Sequence, residues 1–306
     1  MTIRDTVSQM YTPIYDKFML LTFNEETQVH PKLFNSIDDK TKEWKYDGVS
    51  GLGEWVDANE AAGGGFEDPV LGYPKTLTQT KKWKKLSISF EAVDQDEYAI
   101  LGKKKDALSM GRGGRARVER NTAAVLSDGF ATAGPDGQFL FSNSHPKNRE
   151  ETGTTYDNLL SGAFSHDNLE LAETQIAANF FDPKGIPIET SENPILAYPP
   201  ALRGNVKRVL SDRALEQPDT TLRNINRFAG SYQPIEWRYL GSALGGSNSA
   251  WFIIYPELEM LAIVWSARPH FSNWVDYDLE LYNYKGRMIY DVGPCSWRCG
   301  FASTGT

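Results

Sequence analysis

From Ala92 to Phe130 the chain reads AVDQDEYAILGKKKDALSMGRGGRARVERNTAAVLSDGF. Tyr98, Leu101, Leu108, Val118, Val125 and Leu126 recur at near-helical spacing, and Gly129 supplies a stop. Asp94 or Asp96 can cap the start, and Glu97 adds negative charge to the first turn. A helix of about 35 residues would be roughly 50 Å long, far beyond the mean helix of a globular domain. Any fold for this chain must accommodate such a rod. Gly111, Gly113 and Gly114 oppose it, each costing about 1 kcal/mol relative to Ala. The helix is therefore expected to bend, or to be interrupted, at those glycines.

The same region carries an unusual charge. Between Lys75 and Arg120 there are 12 Lys+Arg and 6 Asp+Glu, although the chain as a whole sums to −8. A basic stretch in an acidic protein suits a polyanion, or acidic surfaces on other copies of the chain. A solvated helix face is the plainer reading. At 306 residues, with 40% hydrophobic and 12% aromatic residues, the chain has enough apolar material for two domains or one elongated body. No stretch approaches the roughly 20 apolar residues of a membrane span, and the N-terminus lacks a signal pattern.

Residues 1–47 form a tract with apolar patches, notably MLLTF at 19–23; Pro13 and Pro31 interrupt the tract, and charges crowd 38–47. They have no evident core of their own and read as an arm lying on a partner. In 48–91, Leu86, Ile88 and Phe90 alternate with Ser87, Ser89 and Glu91, the period of a half-buried strand. Extended runs at 75–80 and 83–93, with Trp55–Val56 as an opposing strand and Gly63–Gly65 at the tip, suggest a long hairpin. Two strands alone are marginal in water, so it should need another surface.

Beyond a loop at 131–164, Leu169, Leu171, Ala172, Ile176 and Phe180 mark a helix over 167–181, ended by Asp182-Pro183-Lys184-Gly185. PILAYP at 194–199 reads as a buried strand, followed by a helix with Leu202, Val206, Val209 and Leu210 on one side. Further strands are expected at 234–240, 251–255, 261–265, 275–284 and 288–292, before a terminal SWRCGFAS extension. The mixture suggests a compact α/β or α+β unit.

Catalytic and cofactor signatures are missing. His30, His145, His166 and His270 are scattered, and no GxSxG, HExxH or P-loop occurs; MGRGGR lacks the Lys-Ser/Thr ending. Cys295 and Cys299 form a lone CxxxC, read as a reduced pair rather than a zinc site. Glu67-Asp68 reads as a solvated acidic pair, and His145 as a loop histidine satisfied by backbone. No catalytic residue, cofactor or metal is expected.

The order of these pieces resembles the major capsid proteins of tailed phages, the Hong Kong 97 fold, and the Mu-like major head subunit branch in particular. LFSNSHP at 140–146, Asn158-Leu159, the helix 169–179, Pro187-Ile188, LAYPPAL at 196–202, Trp251–Tyr255 and Pro269 carry the sequence resemblance, convincing mainly over about 139–270. It implies an N-terminal arm (1–47), an extended β-hairpin loop over a neighbouring subunit (48–91), a peripheral domain with a spine helix (92–164), a mixed α/β axial domain (165–267) and a return to the peripheral domain (268–306). It implies self-assembly as pentamers and hexamers into an icosahedral shell around double-stranded DNA, held by weak non-specific contact, with assembly in the bacterial host cytoplasm and residence in the virion. Subunit contacts are expected at Trp55, Phe66, Lys81, Lys82, Trp83, Lys84, Lys85, Arg112 and Arg115.

Some relatives carry an N-terminal scaffolding segment of about a hundred residues. There is no room for it before the loop, so a separate scaffolding protein is expected, along with portal and decoration proteins. Two alternatives share parts of this reading: an encapsulin-like nanocompartment shell, and a DNA-binding protein using residues 75–120.

Overall fold

The computed structural model describes residues 23, 28–49, 53–55, 57, 66–91, 99–150, 153–211 and 226–306. Pro31 opens a single-turn helix, α1 (His30–Leu33), where its missing N–H is no loss. Three strands follow closely: β1 (Asn35–Asp38), β2 (Glu43–Val49) and β3 (Leu71–Thr78), with β4 (Thr80–Ser89) directly after. β2 and β3 pair antiparallel from Glu43↔Thr78 to Val49↔Leu71 and form the hairpin. Its strands touch at Gly48 and Gly72, where a Cβ on Gly72 would run into the Gly48 backbone.

The long helix, α2 (Ala99–Ser127), is 29 residues and about 44 Å in length. It is continuous through the three glycines, contrary to an interruption there. Gly114 has a packing reason: the Phe23 ring lies 3.3 Å from where its Cβ would be. The expected caps at Asp94 or Asp96, with Glu97, lie outside the described residues.

The remaining elements are β5 (His145–Pro146), β6 (Thr155–Tyr156), β7 (Leu159–Leu160), α3 (His166–Asn179), β8 (Ile195–Tyr198), α4 (Arg203–Val209), β9 (Gln233–Glu236), β10 (Trp251–Ile254), β11 (Leu261–Asp276), β12 (Leu281–Pro294) and β13 (Gly300–Ser303). Helix α3 starts where Ser165 Oγ accepts from the Asn168 amide, a side-chain N-cap. It buries Leu169, Ala172 and Ile176, whereas the expected Leu171 is exposed.

Two sheets organise this α+β fold. The four-stranded sheet has the order β1-β11-β12-β4. Its long strands follow one another through a tight turn with Glu280 at φ 48°. One face of this sheet packs on α2: Met110 meets Tyr284, with Leu86, Ile88, Phe271 and Tyr282 around them. The five-stranded sheet has the order β7-β13-β10-β8-β9. Strands β8, β10 and β13 are buried along their whole lengths, as strands covered on both faces must be. The main core runs from this sheet through Leu169, Ile176 and Phe180 to Val118, Ala123 and Leu126 of α2.

Several expectations are corrected. The strand opposing β3 is Glu43–Val49, not Trp55–Val56; Trp55 lies outside any strand, and Val56 and Gly63–Gly65 lie outside the described residues. The segment read as arm thus ends in two paired strands, β1 and β2, while 1–22 lie outside the described residues. β4 leaves the hairpin and pairs with β12 instead. The strands expected at 275–284 and 288–292 are the end of β11, a turn over 277–280 and one strand, β12. The 234–240 strand stops at Glu236 and becomes a 3-10 turn over Arg238–Leu240. The terminal extension is in fact an inner strand: β13 lies between β7 and β10.

Candidate functional site

Catalysis has a poor foothold here. His145 is fully buried, with Nδ1 2.6 Å from Asp136 Oδ2 and Nε2 3.1 Å from Asn158 Oδ1, and its ring stacks on Trp297. Asn158 in turn accepts from Ser142 N and donates to three carbonyls, of Leu140, Trp297 and Gly300. The histidine is thus satisfied by side chains rather than by backbone. The network ties the 131–164 loop to the approach to β13, and neither ring nitrogen is open to a substrate. Among the described residues no group of three His, Cys, Asp or Glu could hold a metal ion. Cys295 and Cys299 are free and buried. Burial pushes the Cys295 thiol up to about 11 and the Cys299 thiol up to about 12, away from the reactive thiolate.

The expected contact residues fall into three groups. The lysines of β4 divide between the two faces of the sheet, as strand alternation requires. Lys82 turns toward α2: Nζ donates to the Tyr290 carbonyl and sits 4.2 Å from the centre of its ring. Burial holds its pKa below the usual lysine value. Lys84, opposite Gly286, shares that side and lines the cleft with Met110 and Gly113. Lys81, Trp83 and Lys85 point the other way, away from the helix.

On that outer face they meet residues no sequence window joined to them. Lys285 lies directly opposite Lys85, and Arg287 opposite Trp83. Lys285 Nζ is 5.4 Å from the Trp83 ring centre, and Lys85 Nζ is 5.0 Å from that of Trp274 on β11. Trp83 is 61% exposed and Trp274 41%. The result is a solvent-facing array of cations and indoles from three strands. Arg112 and Arg115 belong to α2, and Arg112 is exposed there.

Trp55 and Phe66 make the third group, fully exposed at the far part of the hairpin. The hairpin's two limbs are bridged there, because the Gly53 amide donates to Glu67 Oε2 at 3.1 Å. Glu67 Oε1 takes Lys184 Nζ at 2.6 Å, so the acidic pair read as solvated contains one anchored member. The Lys184 hydrogen bond, chiefly, holds the Glu67 carboxyl below its usual range.

One residue with no sequence signal organises the centre. Glu119, buried on α2, accepts from Val29 N at 2.9 Å and His30 Nδ1 at 2.8 Å through Oε1, and from Trp237 Nε1 at 2.7 Å through Oε2. It joins the α1 segment, the long helix and the region after β9.

Residues 76–168 match the family described as Mu-like prophage major head subunit gpT. Among solved structures, the chain is similar to the procapsid protein of bacteriophage JBD30, at TM-score 0.51 and 16% identity over 100% of this chain and 77% of that one. It is also similar to the capsid protein of cyanophage P-SCSP1u, at TM-score 0.57 and 11% identity over 90% and 88%. A virus-like particle from Pyrococcus furiosus matches at TM-score 0.53 and 11% identity over 95% and 98%. Among curated proteins there is no match. At these identities the structural matches speak for the fold, which is that of tailed-phage capsid proteins.

Proposed function

We propose that this chain, a Mu-like head-subunit sequence at 76–168 on a Hong Kong 97-type fold, is the major capsid protein of a tailed phage. The observation that carries the reading is this coincidence: the family match and the capsid fold arise from independent comparisons and fall on the same chain. Copies gather as pentamers and hexamers and close an icosahedral shell around double-stranded DNA. The protein works as a structural part and carries no catalysis.

The physical features support this role. Trp55 and Phe66 lie uncovered at the end of a two-stranded hairpin, and large apolar side chains left bare suit contact with another subunit. We assign the hairpin within 48–91 to the loop that reaches a neighbour, α2 with the four-stranded sheet to the peripheral body, and the five-stranded sheet with α3 and α4 to the axial body. A separate scaffolding protein, a portal and a decoration protein complete the assembly, which forms in the host cytoplasm and resides in the virion. A nanocompartment shell is the second reading, favoured by the match to nearly the whole virus-like particle chain. The head-subunit sequence match weighs against it.

Electron microscopy with light scattering on the purified protein, with and without a scaffolding protein, tests the proposal. Closed shells or five- and six-membered rings are expected. A small oligomer indifferent to scaffold overturns it. Shells formed in cells decide between the two readings: nuclease-protected DNA supports the capsid, and an enzyme cargo without DNA supports the nanocompartment. Tight, steeply salt-dependent DNA binding by the unassembled subunit would instead favour the DNA-binding alternative.

A further inference from the structure

We infer that the cavity at the root of the hairpin is a binding site for a small carboxylate, paired there with the Arg298 guanidinium. The inference stands apart from the shell reading and concerns the single subunit.

The cavity holds about 200 Å³, room for several waters or a molecule of a few heavy atoms. Three parts of the chain wall it: Tyr46 and Tyr73 on β2 and β3, Asp182 and Pro183 after α3, and Ser296 to Arg298 between β12 and β13. Arg298 is 8% exposed. Its Nε and Nη2 donate to the Phe181 and Lys147 carbonyls at 2.7 and 3.2 Å, which leaves Nη1 over. Among the described residues the guanidinium makes no ion pair. A buried cation matched only to neutral carbonyls is poorly compensated. Burial pulls the Arg298 pKa down to about 10, and Tyr156, Asp182 and Asp136 offset that only in part. Beside it, Trp297 is 3% exposed and its indole N–H is buried without an acceptor, an uncommon state for a native donor. The Trp297 ring is held in place, stacked on His145 and with its centre 4.4 Å from the guanidinium carbon. Tyr46 Oη has the Met260 sulfur at 3.8 Å, a weak acceptor.

The acids on the wall are engaged elsewhere. Asp136 Oδ2 lies 2.6 Å from His145 Nδ1, and Asp182 Oδ1 accepts from the Lys184 and Ile186 amides, both at 2.8 Å. In formal charge, Lys147 and Arg298 balance these two carboxylates, so among the described residues the wall has no net negative charge to turn an anion away. What the fold leaves out is an acceptor that also carries charge. A carboxylate supplies both, with two oxygens that a guanidinium fork can grip, whereas water supplies the acceptor alone. Pro183, Ile188 and Met260 give a short apolar body something to lie against. Once seated, the ligand joins the hairpin root to the connection before β13, so occupancy should stabilise the subunit.

Propionate is the probe, with propionamide as its uncharged counterpart and chloride at equal ionic strength as the control. Titration calorimetry on the unassembled subunit should show saturable binding of propionate alone, and the melting temperature should rise with propionate by mass action. In protein isotope-labelled at tryptophan, the Trp297 indole N–H resonance, assigned by its loss in Trp297→Phe, should move along the same curve. Arg298→Gln should weaken binding at least about tenfold, through loss of a charge-assisted pair. Arg298→Lys keeps the charge without the fork and should weaken it about threefold or more. Tyr46→Phe gives up a hydroxyl whose contact within the chain is the Met260 sulfur, and should weaken binding about twofold or more. Circular dichroism checks the fold of each; if Arg298→Gln does not fold, the other two variants decide. No saturable binding, equal responses to propionamide or chloride, or affinity unchanged in both Arg298→Lys and Tyr46→Phe overturns the inference.

Discussion

Removing the Glu119 carboxylate should unfasten three parts of the subunit at once. Glu119→Ala leaves the Trp237 indole N–H, the His30 imidazole and the Val29 amide without their acceptor. A buried donor stripped of its partner costs about 1–3 kcal/mol. Trp237 and His30 are buried and Val29 only half so, so about two and a half such penalties are a fair count, giving about 2.5–7.5 kcal/mol. Alanine's better helix propensity returns only a few tenths. Glu119→Gln keeps one carbonyl oxygen and turns an amide N–H₂ toward one of the donors, so it should lose about half as much. Urea unfolding of the unassembled subunit, followed by tryptophan emission, measures both; the slope of the transition should stay unchanged while its midpoint falls. Trp237→Phe removes one donor in advance, so in that background the cost of Glu119→Gln should shrink by roughly 1 kcal/mol or more. If Glu119→Ala stays within about 0.5 kcal/mol of the parent, or if the cycle shows no coupling, the carboxylate is not the fastener described here.

At alkaline pH the subunit should lose stability, because burial raises Cys295 to about 11 and Cys299 and Tyr290 to about 12. The unfolded chain ionises these groups first, so stability holds below the ordinary thiol pKa of 9.0 and falls as pH rises beyond it; denaturant midpoints between pH 8 and 10.5 measure this. Both thiols should resist iodoacetamide in the native protein at pH 8 and react once it unfolds, as mass spectrometry would show. Gly300→Ala should cost at least about 2 kcal/mol, because a Cβ there would collide with the Ile253 carbonyl; a thermal melt near that of the parent contradicts it. His145→Ala should destabilise by about 3 kcal/mol by leaving buried Asp136 and the Asn158 oxygen short of a partner, read again as a urea midpoint.

Where the sequence was legible, a local period did the work. The helix at 166–179, the buried strand at 195–198 and the strand at 251–254 repeat their apolar pattern within a few residues, and the structure has them there. The long helix was visible for the same reason; of its glycines, Gly114 packs against Phe23, while a Cβ on Gly113 would meet open space. What failed was non-local. β12 looked like two pieces because Lys285 and Arg287 interrupt its apolar alternation, yet those are the outer-face residues of an unbroken strand. Asn35–Asp38 has no strand pattern of its own and is extended because it lies parallel to Ala262–Trp265. Lys81 to Lys85 read as one basic block, although alternation sends Lys82 and Lys84 to the helix side. Glu119 carries no local signal; only the fold brings Val29, His30 and Trp237 to it.

The placement of β13 has a bearing on when this protein can fold. Residues 261–303 supply the two long strands of one sheet and an inner strand of the other, so neither sheet can be closed by the residues before them. Leu159 and Leu160 must wait for Ala302 and Ser303, and Thr80 to Ser89 must wait for Leu281 to Tyr290. Contacts spanning some 140 to 200 positions carry a large loop-closure cost and form slowly. During synthesis, the hairpin and the long helix emerge well before anything exists to receive them. The subunit should therefore mature as a single late event, with no early fragment shaped to join a shell.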